Sequence, residues 1–221
     1  MRWETPDKGL IPPNAFIPVF EKNHFISELD RYVFETVCQW LAKRMDAGQQ
    51  LLPISVNVSR LQFYKADFVK TYSDIRDKYG IPQGLLEIEF TETVAFENQD
   101  YMIQIAEDLH RSGFLCSLDD FGTGYSSLGV LKDLPIDILK LDASFFGKSQ
   151  NAKRDDLILK GIIALIKELG ILTVAEGIEH KDQVDFLRTM GCDLIQGYYF
   201  YRPMPIADFE KLLEPAVAVV H

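Results

Sequence analysis

The chain has 221 residues, 47% of them hydrophobic, and carries 23 Lys and Arg against 33 Asp and Glu for a formal charge of −10. That length makes one large domain or two small ones and buries roughly 70% of the surface the unfolded form exposes. The acidity speaks against DNA or RNA as the main partner, because phosphate backbones are bound by basic faces, yet it leaves room for a small phosphate ligand whose charge is met by bound cations.

No basic-then-apolar leader opens the chain. Before Pro53 the sequence shows a loop over residues 9–18 and helical periodicity over residues 26–45, with no convincing strand. From Pro53 onward, short apolar segments alternate with helical stretches. The segments are 53–57 (PISVN), 85–91 (LLEIEFT), 115–120 (LCSLDD), 136–142 (IDILKLD), 172–176 (LTVAE) and 193–196 (DLIQ). Between and after them, periodicity predicts helices over 61–78, 99–112, 154–169, 181–190 and 206–213. Gly80, Gly113, Gly170 and Gly191 stand near expected helix C′ positions, Asn98 is a plausible cap and Asp208 a first-turn acid. The longest apolar stretch, residues 158–174, is broken by Lys160, Lys167 and Glu168, so no membrane contact is expected. Cys38, Cys116 and Cys192 are an odd, widely spaced set that reads as reduced core cysteine of a cytosolic domain, neither a disulfide framework nor a zinc site. His24, His110, His180 and His221 read as solvated and without chemistry, and Phe20, Phe25, Phe34, Phe186 and Phe209 read as core.

Each apolar segment runs into a carboxylate, amide or amine at its end. Buried strands do not end in acids by chance, since an unpaired buried charge costs several kcal/mol. Six such endings describe parallel strands converging on one polar mouth, with Glu89, Glu92, Asp119, Asp120, Asp142, Glu176 and Glu179 crowded there. Acids that close raise one another's pKa unless something positive sits among them, and divalent metal is the simplest answer. The first strand lacks the Gly-rich turn of a doubly wound dinucleotide fold, and a closed ring best points every strand end at one site. Six strands are legible where such a ring needs eight.

The most specific motif is Asp119-Asp120-Phe121-Gly122-Thr123-Gly124-Tyr125-Ser126-Ser127, preceded by Ser55-Val56-Asn57 and Glu89-Phe90-Thr91-Glu92 and followed by Lys140-Leu141-Asp142, Glu176-Gly177-Ile178-Glu179 and Gln196-Gly197-Tyr198. Together with Arg2-Trp3, Phe16-Ile17-Pro18 and Arg202-Pro203-Met204-Pro205, this ordered set closely resembles the EAL family, phosphodiesterases that open the bacterial messenger cyclic di-GMP. The resemblance implies an α/β fold, a TIM-like (β/α)8 barrel of EAL type with one antiparallel strand, six parallel strands of which lie in this chain. Residues 1–221 are then one EAL domain, incomplete at its N-terminus. The first two strands, about 30–40 residues as a strand–helix–strand unit requires, and the glutamate of the naming Glu-Ala-Leu motif are expected upstream. The resemblance also implies a diguanylate-cyclase-like or sensory domain further upstream, a bacterial cytoplasmic location, and a homodimer among the partners the family allows.

The residue roles implied by the resemblance are specific. Asn57, Glu89, Asp119, Asp120 and Glu176 are metal ligands for two Mg²⁺ or Mn²⁺ ions, with Asp119 bridging. Oxygen donors of this kind suit those ions, and Asn57 lies in the polar row Ser55, Asn57, Ser59 of its strand. Lys140 is implied as a base or water anchor; beside two metals, which already acidify bound water, an orienting or electrostatic role is favoured, with an ion pair to Asp142 or Asp119 as its plain structural alternative. Glu92 tethers the loop after Asp119 and Asp120. Glu179 and Gln196 contact the metal waters or substrate, Arg2 meets a ligand phosphate, and Glu87 pairs only with a neighbouring cation. The expected activity is hydrolysis of cyclic di-GMP to linear pGpG, with the 221 residues alone expected inactive. The alternative is a degenerate EAL domain that binds cyclic di-GMP, or a protein partner, without cutting.

Overall fold

The computed structural model describes residues 2–7, 9–122, 129–146 and 152–213. The N-terminal segment departs from its sequence reading. Trp3–Thr5 (β1) and Gly9–Ile11 (β2) pair as an antiparallel hairpin, and a helix, α1 (Pro13–Lys22), starts at Pro13 where the missing N–H of proline costs nothing. Pro18 inside α1 is what hid the helix, since proline ordinarily breaks helical periodicity. Trp3, Phe16, Phe20 and Phe25 stack in succession there, with ring centroids 5.1–5.8 Å apart. Phe25 is consequently 45% exposed in a surface stack, not in the core as its sequence context suggested.

After the long helix α2 (Ile26–Asp46), six parallel strands follow in chain order: β3 (Ile54–Asn57), β4 (Leu86–Thr91), β5 (Leu115–Phe121), β6 (Ile138–Leu141), β7 (Leu172–Ala175) and β8 (Leu194–Ile195). Each pairs with the next, so chain order and spatial order coincide, as in a barrel wall. The intervening helices are α3 (Arg60–Phe63), α4 (Phe68–Lys78), α5 (Glu92–Glu97), α6 (Gln99–Arg111), α7 (Val130–Asp133), α8 (Ala152–Glu168), α9 (Lys181–Met190) and α10 (Ile206–Leu213), with a 3₁₀ turn at Ala143–Phe146. The helix expected over 61–78 is thus two helices, while α5, α7 and the 3₁₀ turn are too short to carry a periodic signal. The four glycines expected at helix ends all adopt positive φ, and Asn98 Oδ1 accepts the Tyr101 amide at 3.4 Å.

Alternation decides which side chains face helices and which face the barrel interior. Leu86, Ile88 and Phe90 of β4 are buried against a core that includes Phe34, Phe63, Phe68, Tyr72 and Phe114, whose rings meet edge-on or tilted. Glu87 and Glu89 take the other face. Among the described residues β3 pairs only with β4, and β8 only with β7. α10 reaches α2, where Trp40 Nε1 donates to Glu210 Oε1 at 2.8 Å and its ring lies 5.9 Å from that of Phe209.

Candidate metal centre at the strand ends

Parallel pairing brings the functional side chains level. Asn57 pairs across to Glu89 and Thr91 to Asp119, so the last residues of β3, β4 and β5 share one rim. Between Leu118 and Phe121 the register of β5 against β6 slips, and Asp120 adopts φ 57°, a left-handed conformation uncommon outside glycine. This is a β-bulge, a device that re-aims side chains at strand ends. It leaves Asp119 half-buried and Asp120 exposed, and it carries the strand on to Phe121, one residue past its expected end.

Lys140 forms the centre. Its ammonium is buried, contacts Glu89 Oε1 and lies 3.2 Å from Glu176 Oε1. The alternative pairing of Lys140 with Asp142 is not the one formed. Asn57 Nδ2 donates to the second oxygen of Glu89, the charge of Asp119 acts on Glu176, and the Asp119 Oδ1 accepts the Asp120 amide at 2.8 Å. Four of the five expected metal-binding residues, Asn57, Glu89, Asp119 and Glu176, therefore converge on one another, and Asp120 stands beside them on the bulge.

The electrostatics show an excess of negative charge. Burial alone would lower the pKa of Lys140, but Glu89 and Glu176 hold it above its ordinary value, so the residue is a fixed cation. That cation does not suffice. Burial, reinforced by the charges of Asp119 and Glu89, pushes Glu176 up to about 7 despite Lys140, and burial with neighbouring acids also raises Asp119 and Asp120. A hard divalent cation bound by these oxygens removes the frustration, so the donor set fits Mg²⁺ or Mn²⁺.

Glu92, the first residue of α5, is buried and its Oε2 accepts the Gly122 amide at 2.9 Å. Gly122 has φ 99°, and a Cβ there would lie 1.7 Å from the Phe145 ring. The beginning of the Asp119–Ser127 loop is thus pinned from two sides; Thr123 to Ser127 lie outside the described residues. Glu179, Gln196 and Arg2 line, with Glu176, Tyr198 and Tyr201, a cavity of about 730 Å³ that adjoins the Lys140 cluster through Glu176. Gly197 is required at its floor, because a Cβ would sit 2.0 Å from the Ile178 carbonyl oxygen.

Glu87 overturns its expectation. No described residue forms a salt bridge with it, its Oε1 is buried without a hydrogen bond, and burial raises its pKa although Lys140 pulls the other way. The sequence also hid Asp137 and Asp193, which stand just before β6 and β8. Asp137 Oδ2 accepts the Cys116 amide at 2.7 Å, and Asp193 Oδ2 accepts the Thr173 amide at 2.9 Å and hydroxyl at 2.7 Å, so each ties down the start of the preceding strand or its neighbour. His110, read as a bare surface residue, pairs with Asp137 at 2.8 Å.

The family model for the EAL domain matches residues 1–203. The chain belongs to the EAL domain family. A cyclic di-GMP phosphodiesterase of Pseudomonas aeruginosa, NbdA, is 39% identical over 213 residues, which is 96% of this EAL domain and 27% of that protein. The bifunctional diguanylate cyclase/cyclic di-GMP phosphodiesterase MucR of the same organism is 38% identical over 205 residues, 93% of this chain and 30% of its own. The solved MucR phosphodiesterase in complex with cyclic di-GMP superposes with a TM-score of 0.87 at 37% identity, covering 94% of this EAL domain and 84% of that chain. The six parallel strands are therefore a curled half of a TIM-type barrel wall. The domain spans under a third of these two curated relatives, and no helix among its described residues is long and apolar enough to cross a membrane.

Proposed function

We propose that this EAL domain, within a barrel completed by two upstream strands, hydrolyses one phosphodiester of cyclic di-GMP to give linear pGpG. The observation that carries the reading is the convergence of Asn57, Glu89, Asp119 and Glu176 on Lys140 with more carboxylate than the lysine neutralises. Asn57, Glu89, Asp119, Asp120 and Glu176 would hold two Mg²⁺ or Mn²⁺ ions. Bound there, such ions supply an acidified water and charge stabilisation for an in-line displacement at phosphorus. The remaining residues act around them. Lys140 fixes the orientation of Glu89 and Glu176 and presents its ammonium to developing negative charge. Glu92 holds the bulge and Gly122 in place, and so sets where Asp119 and Asp120 sit. Arg2 at the cavity wall meets a substrate phosphate, while Glu179 and Gln196 position the nucleotide or its waters. An acidic domain can take a dianionic substrate this way, because bound cations invert the local field.

Support comes from relatives bearing the phosphodiesterase name and from a fold relative solved with cyclic di-GMP. The test is incubation of the completed domain with cyclic di-GMP in Mg²⁺, Mn²⁺ or excess chelator, reading pGpG by chromatography. Product only with metal is expected. Turnover in chelator, or none at any metal concentration, overturns the proposal.

A further inference from the structure

A second cluster of metal-ligating side chains lies at the other end of the sheet. His110 is in the last turn of α6, Cys116 is the second residue of β5, and Asp137 immediately precedes β6. An imidazole nitrogen, the thiol sulfur and a carboxylate oxygen all lie within 4.8 Å of one another, with His110 Nε2 and Asp137 Oδ2 at 2.8 Å. We propose that His110, Cys116 and Asp137 form a binding site for a transition metal of the Zn²⁺ class, separate from the oxygen-lined centre at the strand tops.

Donor chemistry separates the two sites. One nitrogen, one sulfur and one oxygen suit Zn²⁺ or Co²⁺, whereas Mg²⁺ and Mn²⁺ favour all-oxygen sets. Tetrahedral bonds of the usual Zn–N, Zn–O and Zn–S lengths place ligand atoms about 3.3–3.6 Å apart. The spacing here brackets that value: His110 and Asp137 need only open by several tenths of an ångström, and Cys116 Sγ swing inward. Thiolate and carboxylate together balance the charge of a divalent ion, and the C-terminal end of α6 favours a cation at His110. The path in is open, because His110 and Asp137 are about one-third exposed while Cys116 is fully buried. Solvent or water supplies the fourth position. As the Cys116 S–metal bond forms, the thiol proton leaves to buffer. His110 Nε2, whose hydrogen faces Asp137 in the metal-free protein, loses that proton to solvent while Nδ1 takes one up, so the imidazole stays neutral and gives its Nε2 lone pair, and Asp137 gives a carboxylate lone pair. Burial pushes the free Cys116 thiol above its ordinary pKa, so the metal must displace that proton, which Zn²⁺-class ions do and hard ions do not. The bound ion would staple α6, β5 and β6 at the ends opposite Asp119 and Lys140.

The test is a Co²⁺ titration of the reduced, completed domain in excess Mg²⁺, which occupies the oxygen donors. We expect saturation at one equivalent with a thiolate-to-cobalt charge-transfer band and the intense visible bands of tetrahedral Co²⁺, both bleached by Zn²⁺. His110→Ala and Cys116→Ser should lose the charge-transfer band, while Cys38→Ser and Cys192→Ser keep it. Folded wild-type protein without the band overturns the site. So does a band that survives Cys116→Ser. If Cys116→Ser fails to fold, the one-third exposed His110→Ala decides: an unchanged band and affinity overturn the proposal.

Discussion

At the scale of single residues, the site is a buried lysine holding apart acids that would otherwise repel. Removing only the ammonium tests that view. Lys140→Met keeps the stem but leaves Glu89 and Glu176 buried without their partner, and breaking such a pair costs about 3–5 kcal/mol. Urea unfolding in chelator should show that loss, and added Mn²⁺ should restore more stability to the variant than to the wild type. An unchanged midpoint would mean that the acids do not depend on Lys140. Asp119→Asn addresses function. It removes charge where β5 bulges but keeps shape, so the fold should persist while pGpG formation by the completed domain falls by orders of magnitude. Near-normal turnover would remove Asp119 from the chemistry.

At the scale of elements, the strand tops were legible because each carries a polar residue where an apolar run ends, and a buried strand has no other reason to place one there. Glu89, Asp119, Lys140 and Glu176 announced themselves in this way. The strand bottoms were silent. Asp137 and Asp193 are ordinary acids at loop ends in the sequence, and only pairing shows that they accept amides from the neighbouring strand. The bulge at Asp120 was equally hidden, since a one-residue register slip depends on β6 and not on local sequence. α1 was lost to Pro18, and β1 and β2 to their three-residue length. Asp193 gives an element-level prediction. Burial opposes its charge, but hydrogen bonds from Thr173 and the ion pair with Lys167 win and hold its carboxyl below the ordinary 3.8. Asp193→Ala strands the Thr173 amide and hydroxyl, and Thr173 is fully buried, so a loss of about 1–3 kcal/mol is expected at neutral pH. Because the folded pKa is depressed, that contribution is complete above the unfolded carboxyl's pKa and disappears as pH falls through the folded one. Wild type and variant should therefore differ in urea midpoint at pH 7 and converge below pH ~4. A gap that persists in acid would mean that packing, not the charged acceptor, is what Asp193 provides.

At the scale of the whole molecule, the six strands form a wall with two lateral edges. β3 and β8 each have one partner among the described residues. Unpaired edges template pairing with other chains. At the β8 side, Leu194 of β8 and Leu172 of the adjacent β7 are 54% and 48% exposed. The contact of α10 with α2, through Trp40, Phe209 and Glu210, links the two sides at the helix layer but satisfies no strand amide. The ring of oxygen donors is likewise drawn from β3 onward, so a ligand carried by any further strand is lacking in the 221 residues by themselves. We therefore expect the polypeptide 1–221, expressed alone, to elute as an oligomer or a heterogeneous mixture in size exclusion with light scattering, and to form no pGpG in Mn²⁺. Preceding it with the two strands and the glutamate proposed for a completed barrel should yield a discrete species that melts cooperatively and turns over. The opposite outcome is equally readable: a monomeric 1–221 that unfolds in one transition and cleaves cyclic di-GMP would show that the edges are protected as they stand and that the donors already present suffice.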